Sequence, residues 1–423
     1  MTSTALPEPG VARRQRRTVA VVLMLGLASW FSATAVGPSI AADWDLGTTG
    51  LLWLTGSVQL GFVVGALSAS LANLPDRVPS HLLAAACSGG AALTTVGFVL
   101  WADGLTSAVL IRGATGVLLA GIYPPAMRMT ASWSPHELRG RAFGMLIACL
   151  TLGSALPHLL RAVDDLPWRA VMGGSAAASL IGGLLCLFLV RSGPLVERSQ
   201  GLQVRHAFIG LRGGDSLRAN LGYFGHMWEL YAFWTWAPTL LVSLPTWELS
   251  ASQVGLLTFL VIGLAGAFGC VAGGWIADRR GRRFTAVAAL AISGGCCAFS
   301  PLLWRISPPF VLGVLILWGA AVIADSGVFS AALSETVDSR FVGTALAAQT
   351  AIGYLLTVLS IQLTGTFGDL LGWQWAFLPL VAGPVIAGIA MAGFGGPGSM
   401  NDRSKTSMTP WAMRSMHRWG IGS

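Results

Sequence analysis

Twelve stretches of about twenty residues, nearly empty of charge, follow one another along the 423-residue chain. They cover roughly 18–40, 50–72, 80–101, 105–127, 140–160, 168–190, 216–242, 254–276, 283–304, 309–334, 341–366 and 373–394. A hydrocarbon layer about 30 Å thick takes about 20 helical residues per crossing. Backbone in lipid must satisfy its own hydrogen bonds. The runs are continuous and of helix length, not alternating segments of about ten residues, so helices are expected rather than a barrel. Charged residues make up 10% of the chain, against about 25% in a soluble domain, too few to cover a water-facing surface. The expected fold is an all-α membrane protein whose twelve transmembrane helices form two pseudo-symmetric six-helix bundles.

The division into two rests on a repeat. Gly50-Leu51-Leu52 opens the second segment and Gly255-Leu256-Leu257 the eighth. Asp76-Arg77 follows the second and Asp278-Arg279 the eighth. Gly140 and Gly343 open the fifth and eleventh, and Trp168 and Trp373 the sixth and twelfth. The offsets all lie between 202 and 205 residues. Parallel repeats of this kind place a binding site between the halves near the bilayer midplane. The expected organisation is a cytoplasmic N-terminal tail (1–17), an N-terminal six-helix bundle (18–194), a cytoplasmic linker (195–215), a C-terminal six-helix bundle (216–396) and a cytoplasmic tail (397–423).

Basic residues orient these bundles. With the N-terminus inside, 22 of the 26 lysines and arginines fall on the cytoplasmic side. Arg161, Arg169 and Arg305 fall outside, and Arg112 lies within a span. Such asymmetry leads to a multi-pass protein of the plasma membrane with both termini cytoplasmic. The net charge of +8 therefore reads as orientation, and no nucleic-acid contact is expected. No small-residue cleavage site follows Arg17, so the first segment reads as an uncleaved helix. All six cysteines lie inside apolar runs without a CxxC pair and read as small buried hydrophobes. Metal-ligand spacing, a nucleophile beside its base and a phosphate-binding glycine loop are all lacking in the sequence. No enzyme activity, cofactor or metal is expected.

One polar interruption stands out, Gly274 to Arg283, which includes Asp278, Arg279, Arg280, Gly281 and Arg282. Gly281 permits a sharp turn. Asp278 is expected to accept hydrogen bonds from the start of a helix of its own half, and the arginines to meet acids and anionic headgroups. With this loop and its duplicated halves, the chain resembles the major facilitator superfamily over about residues 15–396. The family's Gly-x-x-x-Asp-Arg-x-Gly-x-basic-basic loop is matched by Gly274, Asp278, Arg279, Gly281 and Arg283. In the first half the equivalent places hold Ala72, Asp76, Arg77, Pro79 and His81, so both glycines are lost. Arg112 with Gly116 and Gly121 matches a second family mark. The resemblance implies that fold, and a conformational-switch role for Asp76, Arg77 and the 274–283 loop, with the second-half copy the stronger latch. Ala120–Met127 and Leu152–His158 are similar to permeases grouped with nitrate/nitrite or cyanate carriers. The arginines of segments two and eight and the asparagines of segments five and eleven that mark nitrate carriers are missing, which disfavours nitrate.

Ionisable residues within a span cost a few kcal/mol or more and are candidate functional groups. Arg112 suits an anion or a coupling proton, or else fixes packing through carbonyls of a neighbouring helix. Tyr123 is eleven residues on and expected to share its face. His226 and Glu229 are three apart and expected side by side, as proton carriers or as interfacial groups. Asp325, in the middle of segment ten, reads as a proton carrier, a partner of Arg112 across the cavity, or a packing acid. His158 reads as a gate, a relay or an outer-rim histidine. Gln59, Gln349, Tyr354 and Gln362 are in-span polar groups, either substrate contacts or interhelical hydrogen bonds. Trp228, Trp234 and Trp236 are expected as interfacial anchors, with stacking on an aromatic substrate as the alternative. Gly61/Gly65 and Gly269/Gly273 read as close-packing faces.

These features point to a secondary active transporter working by alternating access. It is expected to be monomeric, to sit in a lipid bilayer and to couple protons to a small anionic solute. The alternatives are a proton-driven exporter of drug-like compounds and, further off, a receptor or scaffold without transport.

Overall fold

The computed structural model describes residues 8–135, 138–163, 166–195, 208–245, 247–338 and 341–395. The first seven residues, most of the expected linker (196–207) and the tail from 396 onward lie outside the described residues. So do Arg198, Arg205, Arg340, Arg403, Lys405, Arg414 and Arg418 of the orientation argument, and the side chain of Asp76.

Every regular element among the described residues is helical. In chain order the long ones are α1 (Pro9–Gly26), α2 (Thr48–Leu71), α3 (Ser80–Trp101), α4 (Leu105–Ser132), α5 (Arg139–Arg161), α6 (Trp168–Leu189), α7 (Gly214–Ser243), α8 (Ala251–Arg280), α9 (Arg282–Arg305), α10 (Pro308–Thr336), α11 (Val342–Leu371) and α12 (Leu378–Ala392). Nine are long and apolar enough to cross a membrane, the exceptions being α1, α7 and α12. Those three have physical reasons. The first turns of α1 carry Arg13, Arg14, Arg16 and Arg17, α7 carries Asp215, Arg218, His226 and Glu229, and α12 is short. The twelve segments of the sequence are thus twelve helices. Pro9 opens α1 at a position where its missing N–H costs nothing, so the arginine run rides on the helix rather than in a tail.

Each half is tightened by glycines at the same crossing. In the first half, a methyl at Gly61, Gly65 or Gly116 would run into the carbonyls of Gly113, Val117 and Val58. In the second, one at Gly269, Gly273 or Gly319 would run into those of Ala320, Ala324 and Val261. Thus α2 lies on α4 as α8 lies on α10, backbone against backbone, the packing that small residues allow between membrane helices. The halves meet along α2–α11 and α5–α8.

Four helices are irregular. After Gly26, α1 passes through a 3-10 turn (Leu27–Ser29) into short pieces, Ser32–Ala35 and Gly37–Trp44. The break in α4 lies between Leu119 and Tyr123, where Pro124 and Pro125 have no N–H to give. In α10 the break is at Asp325. A π-helical turn over Phe259–Ala265 widens α8. Such irregular backbone is tolerated at membrane depth only where protein or a water-filled cavity surrounds it.

Candidate functional site

Arg112 explains the break in α1. It is completely buried. Its guanidinium donates to the Ser29 carbonyl (2.9 Å), to Ser32 Oγ (3.2 Å), to the Leu54 carbonyl (3.5 Å) and to the Trp30 carbonyl. The interrupted helix leaves carbonyls without intrahelical donors, and the fork of N–H groups on arginine supplies them. Of the readings given for Arg112, these contacts are those of packing through carbonyls, and Asp325 is not among its partners. Its donors are directed to backbone and hydroxyl oxygens within the first half. Nor does Tyr123 continue its face, because α4 breaks between them.

The partner of Asp325 is His226. Nδ1 of the imidazole lies 2.8 Å from Oδ1 of the carboxylate, close enough for an ion pair but off the line of a hydrogen bond. Both residues are about 98–99% buried. His226 Nε2, on the other edge of the ring, has no hydrogen-bond partner. The pair joins α7 to the break in α10, inside the second half.

Glu229, three residues from His226, belongs to a different cluster. Trp318 Nε1 donates to its Oε1 at 2.6 Å, Cys297 Sγ to Oε1 at 3.2 Å and Ser293 Oγ to Oε2 at 2.9 Å. Phe233, one turn on, stacks on Trp318 with centroids 4.2 Å apart. The carboxylate therefore ties α7 to α9 and α10. The sequence spacing placed the two side chains side by side, but they point to separate partners. His158 is buried as well, at the far end of α5, where its carbonyl packs on Gly255 of α8. It lies eleven residues, roughly 16 Å of helix rise, from Ile147, the α5 residue beside Gly327 in α10.

An aromatic layer crosses the interface between the halves. Trp30 and Phe31 (α1 break) and Phe62 (α2) meet Tyr231 and Trp234 (α7) and Tyr354 (α11). The nearest pair, Phe62–Tyr354, has centroids 4.3 Å apart. The hydroxyls of Tyr231 and Tyr354 share a 2.7 Å hydrogen bond. All six residues are buried. Trp234 and Trp236 are therefore interior residues, not interfacial anchors; Trp236 Nε1 donates to the Ile361 carbonyl on α11. The layer was missed in the sequence, and its signal was aromatics half-way along a span, where interfacial anchoring cannot account for them.

On one side of the layer the halves are closed. Thr48 Oγ1 at the start of α2 donates to Asp369 Oδ1 at the end of α11, at 2.9 Å. At the other, arginine-rich end, a cavity of about 390 Å³ opens between α5, α8 and α10. Its lining includes the buried Ile147, Cys270 and Ile323 and the charged Asp278, Arg141 and Arg282. Tyr123 is partly exposed inside the bundle.

The 274–283 loop frames that mouth. Gly281 adopts φ 83°, ψ 164°, a region essentially confined to glycine. Arg279 stacks over Trp275 at 3.8 Å, and Arg282 pairs with Glu335 at the end of α10. Asp278 faces Gly140 at the start of α5. That helix belongs to the first half, so Asp278 sits against the opposite half, while Arg282 of the same loop pairs within its own. In the first-half counterpart, Asn73 takes the left-handed turn (φ 51°) and a short helix, Leu74–Arg77, replaces the glycine bend.

Two six-helix halves, the duplicated glycine crossing and a cleft between them define the architecture. The family profile of the Major Facilitator Superfamily matches residues 18–361. The chain belongs to the Major Facilitator Superfamily. Relatives of this superfamily member are transporters, not enzymes. The gentisate transporter of Corynebacterium glutamicum is 23% identical over 358 residues, 80% of this chain and 77% of that one. A probable sulfoacetate transporter of Cupriavidus necator is 29% identical over 209 residues, 45% of this chain and 47% of the other, so the match spans about half of that relative. The niacin transporter of Acinetobacter baylyi is 25% identical over 334 residues, covering 66% and 70%. A crystal structure of a bacterial homolog of the human lysosomal transporter Spinster, inward-facing and unoccupied, superposes with a TM-score of 0.71 at 15% identity over 91% of this chain and 97% of that one. At that identity the likeness shows the fold alone.

Proposed function

We propose that the protein is a secondary active transporter that carries a small organic anion by alternating access, with protons as the coupling ion. The observation that carries this is the buried His226–Asp325 pair, set at the break of α10 beside the interface of two halves that are closed at one end and cleft at the other. A carboxylate and an imidazole in contact within a span are groups able to take up and release a proton during the cycle. Gentisate, niacin and sulfoacetate, the cargoes named for the relatives, are all small organic acids, and that class is the one assigned here. Arg112 then acts as a positioning residue for the α1 break, and Glu229 as a knot between α7, α9 and α10. The Asp278 loop latches the second half to α5. On this reading the protein is a monomer of the plasma membrane, with its arginine-rich end and both termini in the cytoplasm. Proteoliposomes loaded with a panel of small carboxylates and sulfonates test the reading. Asp325→Asn should abolish uptake driven by an imposed pH gradient while leaving solute exchange within about twofold. Uptake that ignores collapse of the gradient in the unaltered protein would refute proton coupling.

A further inference from the structure

Within the transport reading just given, which this inference rests on, we infer that the cargo is a planar ring-bearing acid, held at the aromatic layer by neutral N–H and O–H donors rather than by an arginine. The layer lies at the break after α1 and half-way along α2, α7 and α11, at the seam between the halves, and both halves contribute to it. The six buried rings pack on one another with centroid spacings of 4.3–6.1 Å, contacts that a ring-bearing cargo would replace as the halves part. An aliphatic acid gains little from such faces, whereas a ring stacks on them.

The second observation is independent of the stacking. Trp30 Nε1 and Trp234 Nε1, one from each half, have no hydrogen-bond partner although both side chains are nearly fully buried. Buried donors of this kind are costly to leave unmade. The other buried indoles of the second-half core do find acceptors: Trp236 at the Ile361 carbonyl and Trp318 at Glu229. Unpartnered buried donors also occur outside the layer, Trp247 Nε1 and Gln349 Nε2 among them, but Trp30 and Trp234 place two of them, one from each half, within it. Two further donors lie close by in the fold. The Tyr231–Tyr354 pair uses one hydroxyl proton between them, which leaves the other O–H free to donate. Gln59, one helical turn from Phe62 on α2, has both ends of its amide unpartnered and is wholly buried. No carboxylate belongs to the layer. A set of neutral donors without an acid suits a carboxylate, which only accepts, and its hydrogen bonds are charge-assisted. Arg112, the cation nearest in sequence terms to such a task, is occupied by carbonyls.

The test uses the full-length protein in proteoliposomes and matched probes: benzoate and 4-hydroxybenzoate against hexanoate and succinate, with benzamide as the uncharged ring. Half-saturating concentrations for the two aromatic acids should be at least about tenfold lower than for the aliphatic acids, and benzamide should not compete. Trp30→Phe and Trp234→Phe keep the ring and delete the N–H. Each should weaken the aromatic acids by about tenfold, the scale of one hydrogen bond to a charged group, with the thermal unfolding midpoint of each variant reporting that the fold is retained. Equal handling of ring and chain acids, or unchanged affinity in both variants, would overturn the inference while leaving transport of organic anions standing. Failure of every acid to move under any gradient would overturn both readings.

Discussion

At the scale of single residues, the buried charges divide into those that hold the fold and those free to change. Arg112 belongs to the first group, since its donors are spent on the Ser29, Trp30 and Leu54 carbonyls and on Ser32. Lysine is the informative replacement, because it keeps the charge but concentrates it at one point and cannot span the carbonyls. Arg112→Lys should lower stability by about 1–3 kcal/mol, the cost of leaving buried acceptors unpaired, read as an earlier thermal unfolding midpoint in detergent. Solute affinity of the folded fraction should stay within about twofold, and a selective loss of affinity at full stability would return Arg112 to the substrate site. Glu229→Gln places an amide N–H₂ among three donors. A loss of about 1–3 kcal/mol is expected there too, without loss of gradient-driven uptake, the reverse of the outcome expected for Asp325→Asn. Which charged residues are buried was legible in the sequence, because an ionisable group in an apolar run stands out. Their partners were not. Side chains three apart on α7 point to α10 through His226 and to α9 and α10 through Glu229, and that depends on how three helices are turned about their axes.

At the scale of the helix, the sequence displayed length and number but hid continuity. Apolar runs predict where α2, α3, α5 and α6 begin and end to within a few residues. The break in α4 was written in Pro124-Pro125, which deprive the preceding turn of N–H donors. The breaks at Ser29 and Asp325 carry no proline, and their stability comes from distant partners, Arg112 and His226. Gly61, Gly65, Gly269 and Gly273 were legible as packing faces, and the structure adds that α2–α4 and α8–α10 are one crossing built twice. That equivalence has a consequence for mutation. Gly116→Val and Gly319→Val each drive a side chain into a backbone carbonyl, of Val58 and Val261 respectively. Overpacking of this sort costs typically about 1–3 kcal/mol, so both variants should lose folded yield by similar amounts. Gly295→Val, in α9 with open space around it, should not, and the three expression levels and unfolding midpoints compared side by side decide the matter.

At the scale of the whole molecule, the question is whether the closure seen at one end is a step in the cycle. The Thr48–Asp369 hydrogen bond joins α2 of one half to α11 of the other. Leu52 and Trp236 crowd Gly365 one turn deeper, and beneath them lies the aromatic layer. An exposed hydrogen bond contributes little by itself, about 0.5–1.5 kcal/mol, so closure depends on the packed rings and can be reversed. A covalent bond at the same place cannot. In a background with the six native cysteines replaced, all of which lie within helices, Thr48→Cys and Asp369→Cys together should cross-link with a short bifunctional thiol reagent that carries a cleavable disulfide. The cross-linked protein should still bind solute from the arginine-rich end, because the cavity between α5, α8 and α10 is untouched. Net transport should fall to background, since the halves can no longer part on the closed side, and a reductant that cleaves the reagent should restore it. Each single-cysteine variant treated in the same way should transport normally. If the cross-linked protein carried solute at an undiminished rate, opening between α2 and α11 would not be required, and alternating access through this interface would be wrong.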